Sequence, residues 1–181
     1  MSGAGINIIA NIQAREILAA LERLRNKSGN LGPAMANIGE ELLRSTQRRF
    51  MLMTGPDGKR WQRLTDASKA SKIAKGQNPR KILTGRGYLR DSIRYQANDN
   101  SVRIGTNRIY GAIHQFGGKT KAHVIKPRNK KALAWPGGRH PVRGVNHPGS
   151  DIPARPFLGI SRTDKERIML VIADHLAMGR Q

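Results

Sequence analysis

The hydrophobic period of this chain changes part-way along it and changes back near its end. Over the first third, Ile17, Leu18, Leu21 and Leu24 recur at helical spacing with Glu and Arg between them. Asn26 to Pro33 breaks that pattern with two glycines and a proline. A second stripe, Met35, Ile38, Leu42, Thr46, Phe50 and Met53, predicts a helix from about Gly32 to Met53. The stripe is too narrow for a membrane anchor, and the polar face mixes both charges. Further on the period falls to two. Ile93, Tyr95 and Ala97 alternate with polar residues, as do Val102 and Ile104 after Asn98-Asp99-Asn100, which reads as a hairpin. Ile168, Val171, Ile172, His175 and Leu176 return to helical spacing, with Thr163 placed to cap the helix and Asp164 and Glu166 in its first turn. Helices, then strands, then a helix predict an α+β fold.

The whole chain, 1–181, is expected to be one domain, since 181 residues suffice for one real core. Residues 1–54 form its helical part and 55–92 hold turns and short helices. Residues 93–160 carry a small antiparallel sheet with long basic loops, and 161–181 the last helix. Gly55-Pro56-Asp57-Gly58 is a turn by composition. Thr65 and Ser68 start a short helix that runs to about Ala74. Val124-Ile125, Ala132 to Trp135 and Val142 to Val145 are further short strand candidates. Pro127, Pro136, Pro141 and Pro148 confine them to edges or loops.

Thirty-three Lys and Arg against 12 Asp and Glu leave a net charge of +21. A balance this uneven points to nucleic acid, an anionic surface or an acidic protein neighbour. The charge is also segregated. Asn100 to Ser150 contains no acid, yet it holds Arg103, Arg108, Lys119, Lys121, Lys126, Arg128, Lys130, Lys131, Arg139 and Arg143, with four of the five histidines. A solvated face mixes signs, whereas this one repels itself. The Gly and Pro content points to extended loops from Gly117 to His123 and from Pro136 to Ser150, and Lys119, Lys121, Lys126, Arg128, Lys130, Lys131, Arg139 and Arg143, in and between them, are the candidate partner-binding residues. Those segments are expected to order against a negatively charged partner, in a contact that salt weakens.

Catalytic patterns are missing or incomplete. Gly118-Lys119-Thr120 resembles the end of a phosphate loop, but the required glycine five residues earlier is Ile113. The histidine spacings match no metal site, and there is no cysteine, hence no disulfide and no thiolate. Ser92, His114 and Asp99 are not brought together by anything in the sequence, and no Gly-x-Ser-x-Gly elbow occurs. Carboxylates are too scarce to suggest paired acid–base work. No apolar run approaches the roughly 20 residues of a membrane helix. Ile6, Ile8, Ile9 and Ile12 make only a weak signal-peptide pattern, since no basic residue precedes them and Asn7, Asn11 and Gln13 interrupt them. A chain that is cytosolic when made is the expectation.

Four motifs fall in a telling order. They are Pro56-Asp57-Gly58-Lys59-Arg60-Trp61; Leu83-Thr84-Gly85-Arg86-Gly87-Tyr88-Leu89-Arg90-Asp91-Ser92-Ile93; Tyr110-Gly111-Ala112-Ile113-His114-Gln115-Phe116-Gly117-Gly118, after Ile104-Gly105-Thr106-Asn107; and Ala154-Arg155-Pro156-Phe157-Leu158-Gly159. Together, over about Arg49 to Leu176, they resemble the phage virion morphogenesis proteins of the Mu-like tail-completion family. The His-Gln-Phe-Gly-Gly and Arg-Pro-Phe-Leu-Gly pieces are the most specific. Gly111 departs from the alanine more usual there, at a small cost in helix propensity. The resemblance implies a small α+β structural protein of the virion, assembled in the host cytoplasm. It would complete the tail and help join it to the head, in the tail or neck, as a homo-oligomeric ring, a hexamer by analogy with the tail tube. Its implied partners are other copies of itself and the tail-tube and neck proteins, with non-specific contact to genomic DNA and none to membrane. No cofactor, substrate or enzymatic activity is implied.

The motif residues have a plainer reading beside this one. Trp61, Tyr110, Phe116 and Phe157 are expected to be buried core, Gly117, Gly118 and Gly159 to permit special backbone shapes, and Gly85 to frame a break in the chain. His114, Arg155 and Pro156 then belong to the fold, while the basic loops carry binding. The alternative function is a non-enzymatic nucleic-acid-binding protein. Against it, the few aromatics are not interleaved with the basic residues for base stacking.

Overall fold

A computed structural model describes residues 6–8, 15–28, 30–129, 131–134 and 140–178. Two helices open the described body, α1 (Arg15–Ser28) and α2 (Gly32–Leu52). Asn30 Oδ1 accepts from Gly32 N at 2.8 Å, and a proline in the first turn of α2 gives up a donor that has no helical partner there. Met53 ends α2 in the left-handed region at φ 56°, and its amide donates to the Arg49 carbonyl. The glycine-proline turn follows, closed by Gly58 N to Gly55 O at 3.1 Å. Thr65 caps the short α3 (Asp66–Ala74) by accepting from Ser68 N, as expected.

Strands β2 (Ile93–Ala97) and β3 (Val102–Thr106) form the predicted hairpin. Asn98 Oδ1 closes it by accepting from the amides of Asn100 and Ser101. The N-terminal β1 (Ile6–Ile8) adds antiparallel to the other side of β3, so the sheet order is β1-β3-β2. The isoleucine segment read above as a weak signal pattern is in part a strand. A six-residue helix, α4 (Gly111–Phe116), follows and was not foreseen. Helix α5 (Arg162–Met178) closes the described body. Its cap is Ser161, two residues before the predicted Thr163. Asp164 N donates to Ser161 Oγ, and Asp164 Oδ2 accepts from Ser161 N and Oγ at 2.7 Å, a reciprocal pair like a capping box.

Helix α2 is the spine. One side packs on α5, which also holds α1, around Ile17, Leu24, Met35, Ile38, Ile168 and Ile172. Its other side packs on the sheet. Tyr95 lies over Gly39, and its hydroxyl donates to Glu40 Oε1 at 2.9 Å. A methyl group at Gly39 would sit 2.2 Å from the ring, closer than any real contact. Gly39→Ala is therefore expected to destabilise by about 1–3 kcal/mol through overpacking, although alanine is the better helix former. A urea midpoint equal to or above that of the unaltered protein would refute this close packing.

Candidate functional site

The second core cluster gathers three of the four motifs. Phe50, Trp61, Ile82, Leu89, Ile93, Phe157 and Leu158 are buried together. Phe50 meets Trp61 edge to face at 5.5 Å and Phe157 at 5.2 Å, contacts beyond simple area burial.

The segment from Arg155 to Gly159 crosses this cluster with no helix or strand to satisfy its backbone, so side chains do it. Gln115 Nε2 donates to Leu158 O at 2.9 Å, while its Oε1 accepts from Phe157 N and Leu158 N, both at 3.0 Å. Trp61 Nε1 donates to Pro156 O at 2.8 Å. Arg49 donates to Phe157 O at 3.0 Å and to Gly159 O at 2.8 Å, and pairs with Asp164. Arg155 adds Nε to Gln62 O at 3.1 Å and its amide to His114 O at 2.7 Å. Arg49, Asp164, Gln115 and Arg155 are all buried. Burial pulls the Arg49 guanidinium down from its ordinary value, and Asp164 pulls it back.

This junction is where the basic region leaves and returns. Gly117, at φ 73°, follows α4 directly; a side chain there would come within 2.8 Å of Ala154 N. Beyond it β4 (Gly118–Lys119) pairs antiparallel with β7 (Asp151–Ile152), and β5 (His123–Ile125) with β6 (Val145–His147). The same register runs through both pairs, and Thr120 N donates to Ser150 O between them at 2.9 Å. The two small sheets thus share one register and form an interrupted two-stranded ribbon, about 25 Å long over residues 118–125. Leu133 and Val142 pair beyond it. The long basic loops are paired over part of their length, and His123 stacks on His147 within them at 5.1 Å.

No described residue from Gly118 to Ala154 is buried. Lys119, Lys121, Lys126, Arg128, Lys131 and Arg143 are exposed on this arm. Among the described residues only Lys119 has an acid in reach, Asp151 at 3.8 Å. Lys130 and Arg139 lie outside the described residues, as does Trp135. The ribbon has no core of its own, and a lone two-stranded ribbon is marginally stable in water.

Of the motif residues, Trp61 and Phe157 are buried as expected; Arg155 is buried as well, and Pro156 half-buried. Tyr110 and Phe116 correct the expectation. They are 43% and 65% exposed, because the single short turn of α4 spends its buried face on Gly111 and Gln115. Gly85 is exposed and His114 half-buried. Burial first, and then Arg155, hold the His114 imidazole below its usual value. The sequence reading gave Arg49 and Gln115 no role of their own, and Asp164 only a place in the first turn of the last helix. Arg49 carried a signal, since it lies three residues past Thr46 and seven past Leu42, on the apolar face of its helix.

The fold and this site define a class: a small α+β body holding out a cationic β-ribbon from a clamped, hydrogen-bonded base. Comparison with known proteins makes that particular. The chain belongs to the phage virion morphogenesis family, whose pattern it matches over residues 12–177. It is 30% identical over 165 residues to the Mu-like prophage FluMu G protein 2 of Haemophilus influenzae, covering 91% of this chain and 92% of that one. It is 33% identical over 128 residues to the putative capsid assembly protein G of Escherichia phage Mu, covering 70% of this chain and 67% of that one. No solved structure matches it.

Proposed function

We propose that this protein is a non-enzymatic assembly component that completes the phage tail and helps join it to the head, as a ring of identical copies, six-fold like the tube it would cap. The observation that carries the reading is the clamped cationic arm. Three family motifs are spent on fixing its base, and no described residue along its length is buried. Seven of the 12 acids are held in ion pairs within the chain: Glu41, Asp57, Asp66, Asp91, Asp151, Asp164 and Glu166. Another copy therefore offers little negative surface for an arm. The arms reach an anionic neighbour in the tail or neck, while copies meet through apolar surface such as the exposed Ile109 and Phe116.

Electron microscopy of particles assembled without this protein tests the role. Filled heads beside unjoined tails of uncontrolled length are expected; normal, infectious particles would overturn it. One observation favours a second reading, nucleic-acid binding: a two-stranded basic ribbon fits the major groove of a duplex. Tight gel-shift binding by the free protein at physiological salt would favour that reading.

A further inference from the structure

Helix α5 is apolar on two sides. Ile168 and Ile172 face the core. Leu170, Ala173 and Ala177 recur three and four residues apart on the other side, with Met178 beside them, and all four are exposed. Leu170 keeps 64% of its surface in solvent. A helix that is apolar all round is normally covered on every side. From Ile168 to Met178 there is no Lys or Arg and one acid, Asp174. That acid is exposed and enters no ion pair among the described residues. Glu166, one turn before Leu170, is exposed as well.

Helix α4 carries a second stripe. Ile109, Ala112, Ile113 and Phe116 fall at helical spacing along it and its leading turn. Gly111 and Gln115 take the buried side, so this stripe points outward. Ile109 is 77% exposed, Phe116 is exposed too, and the two residues between are half-buried. Here the charge has the other sign. Arg108, at the start of the stripe, is exposed, lies over the Tyr88 ring at 5.9 Å and pairs with no acid among the described residues.

The two stripes differ in shape as well as in charge. α4 presents an isoleucine and a phenylalanine, while α5 presents two alanines beside a leucine, small enough for another helix to approach. A chain of net charge +21 repels its own copies. Setting the acidic stripe against the basic one relieves that repulsion, whereas pairing either with itself would gather like charges. α5 packs on one side of α2, and the hairpin that leads into α4 packs on the other. One copy can therefore use both stripes at once, and unlike faces joined in this way can close into a ring.

We propose that copies of this chain join head to tail, the outer face of α5 on one copy seated against the outer face of α4 on the next. The inference rests on the reading that copies assemble, and adds to it both faces and their order.

The chain has no cysteine, so introduced ones report the contact directly. Full-length Ala112→Cys and Ala173→Cys, mixed and oxidised, should form a mixed dimer, while neither should dimerise alone. A chain carrying both should give a ladder of linked multimers. Sedimentation velocity reads the strength. Phe116→Ser and Leu170→Ser should each weaken self-association roughly tenfold or more, as loss of an apolar anchor does. Their melting temperatures should hold, because both sites are exposed. The double variant should be little worse than either single one, since the two changes strike the same contact. Asp174→Lys should weaken association as well. Association intact in these variants would overturn the interface and leave the tail-completion reading standing. So would Ala173→Cys linking to itself as readily as to Ala112→Cys. An unaltered chain that stays monomeric at every concentration would overturn the interface and the ring together.

Discussion

Replacing Arg49 with alanine is expected to lower the melting temperature by about 6–20 °C. Removing one partner of a buried ion pair costs about 3–5 kcal/mol, and a chain of this size loses about 2–4 °C for each kcal/mol. The cost is high because three groups are orphaned together. Asp164 keeps its charge at 4% side-chain exposure, and the carbonyls of Phe157 and Gly159 lose their donor. Arg49→Met with Asp164→Leu should recover much of the loss, since an apolar pair leaves no buried charge. The carbonyls stay unpaired and Ser161 N loses its acceptor at the start of α5, so recovery should be incomplete. Circular dichroism melts of the single and double variants measure this. A loss of under about 1 kcal/mol for Arg49→Ala would mean that the pair does not hold the junction.

The sequence revealed α1, α2, α5 and the hairpin because each buries a face within a short window. The stripe from Met35 to Met53 predicts a helix over 32–53, and α2 spans Gly32–Leu52. Asn98 to Asn100 marked a turn because its side chains compete for nearby amides. The arm was less legible. Strands buried on neither face show no alternation, and Pro127 and Pro148 look like interruptions. The pairing of His123 with His147 rests on a long-range register that no local residue announces. β1 was misread for a similar reason, since three isoleucine-flanked residues acquire meaning only beside β3.

The junction shows a different limit. The motifs that carried the resemblance were legible as a set, but not the work each residue does. Gln115 sits inside the His-Gln-Phe-Gly-Gly piece, yet only the fold shows it closing three hydrogen bonds on Phe157 and Leu158. Tyr110 and Phe116 were expected in the core because large aromatics bury the most area. A six-residue helix has too little face to bury two polar-anchored turns and two rings. The candidate binding residues on the arm were named by charge alone, which is silent on shape.

Excising residues 119–151 in favour of a short glycine-rich turn separates the two halves of the molecule. The ends to be joined are adjacent, with Gly117 beside Ala154. No described residue of the arm is buried, so the body should keep its stability to within about 0.5 kcal/mol, as for a surface change. Assembly should fail all the same, with no joined particles when the shortened chain is the sole source. Changing Lys119, Lys121, Lys126, Arg128, Lys131 and Arg143 to glutamine keeps the ribbon but removes its charge, and should fail in the same way. If the partner surface is as charged as nucleic acid, binding by the intact arm should fall roughly 1,000-fold or more between 50 and 200 mM salt. Normal particle yield from the glutamine variant would show that the arm's charge is not what assembly uses. A collapsed melting temperature on excision would show instead that the arm belongs to the core, although none of its described residues is buried. The two effects are expected to be opposite in kind. Arg49 governs whether the body holds the arm's base, and the arm governs what the body can meet.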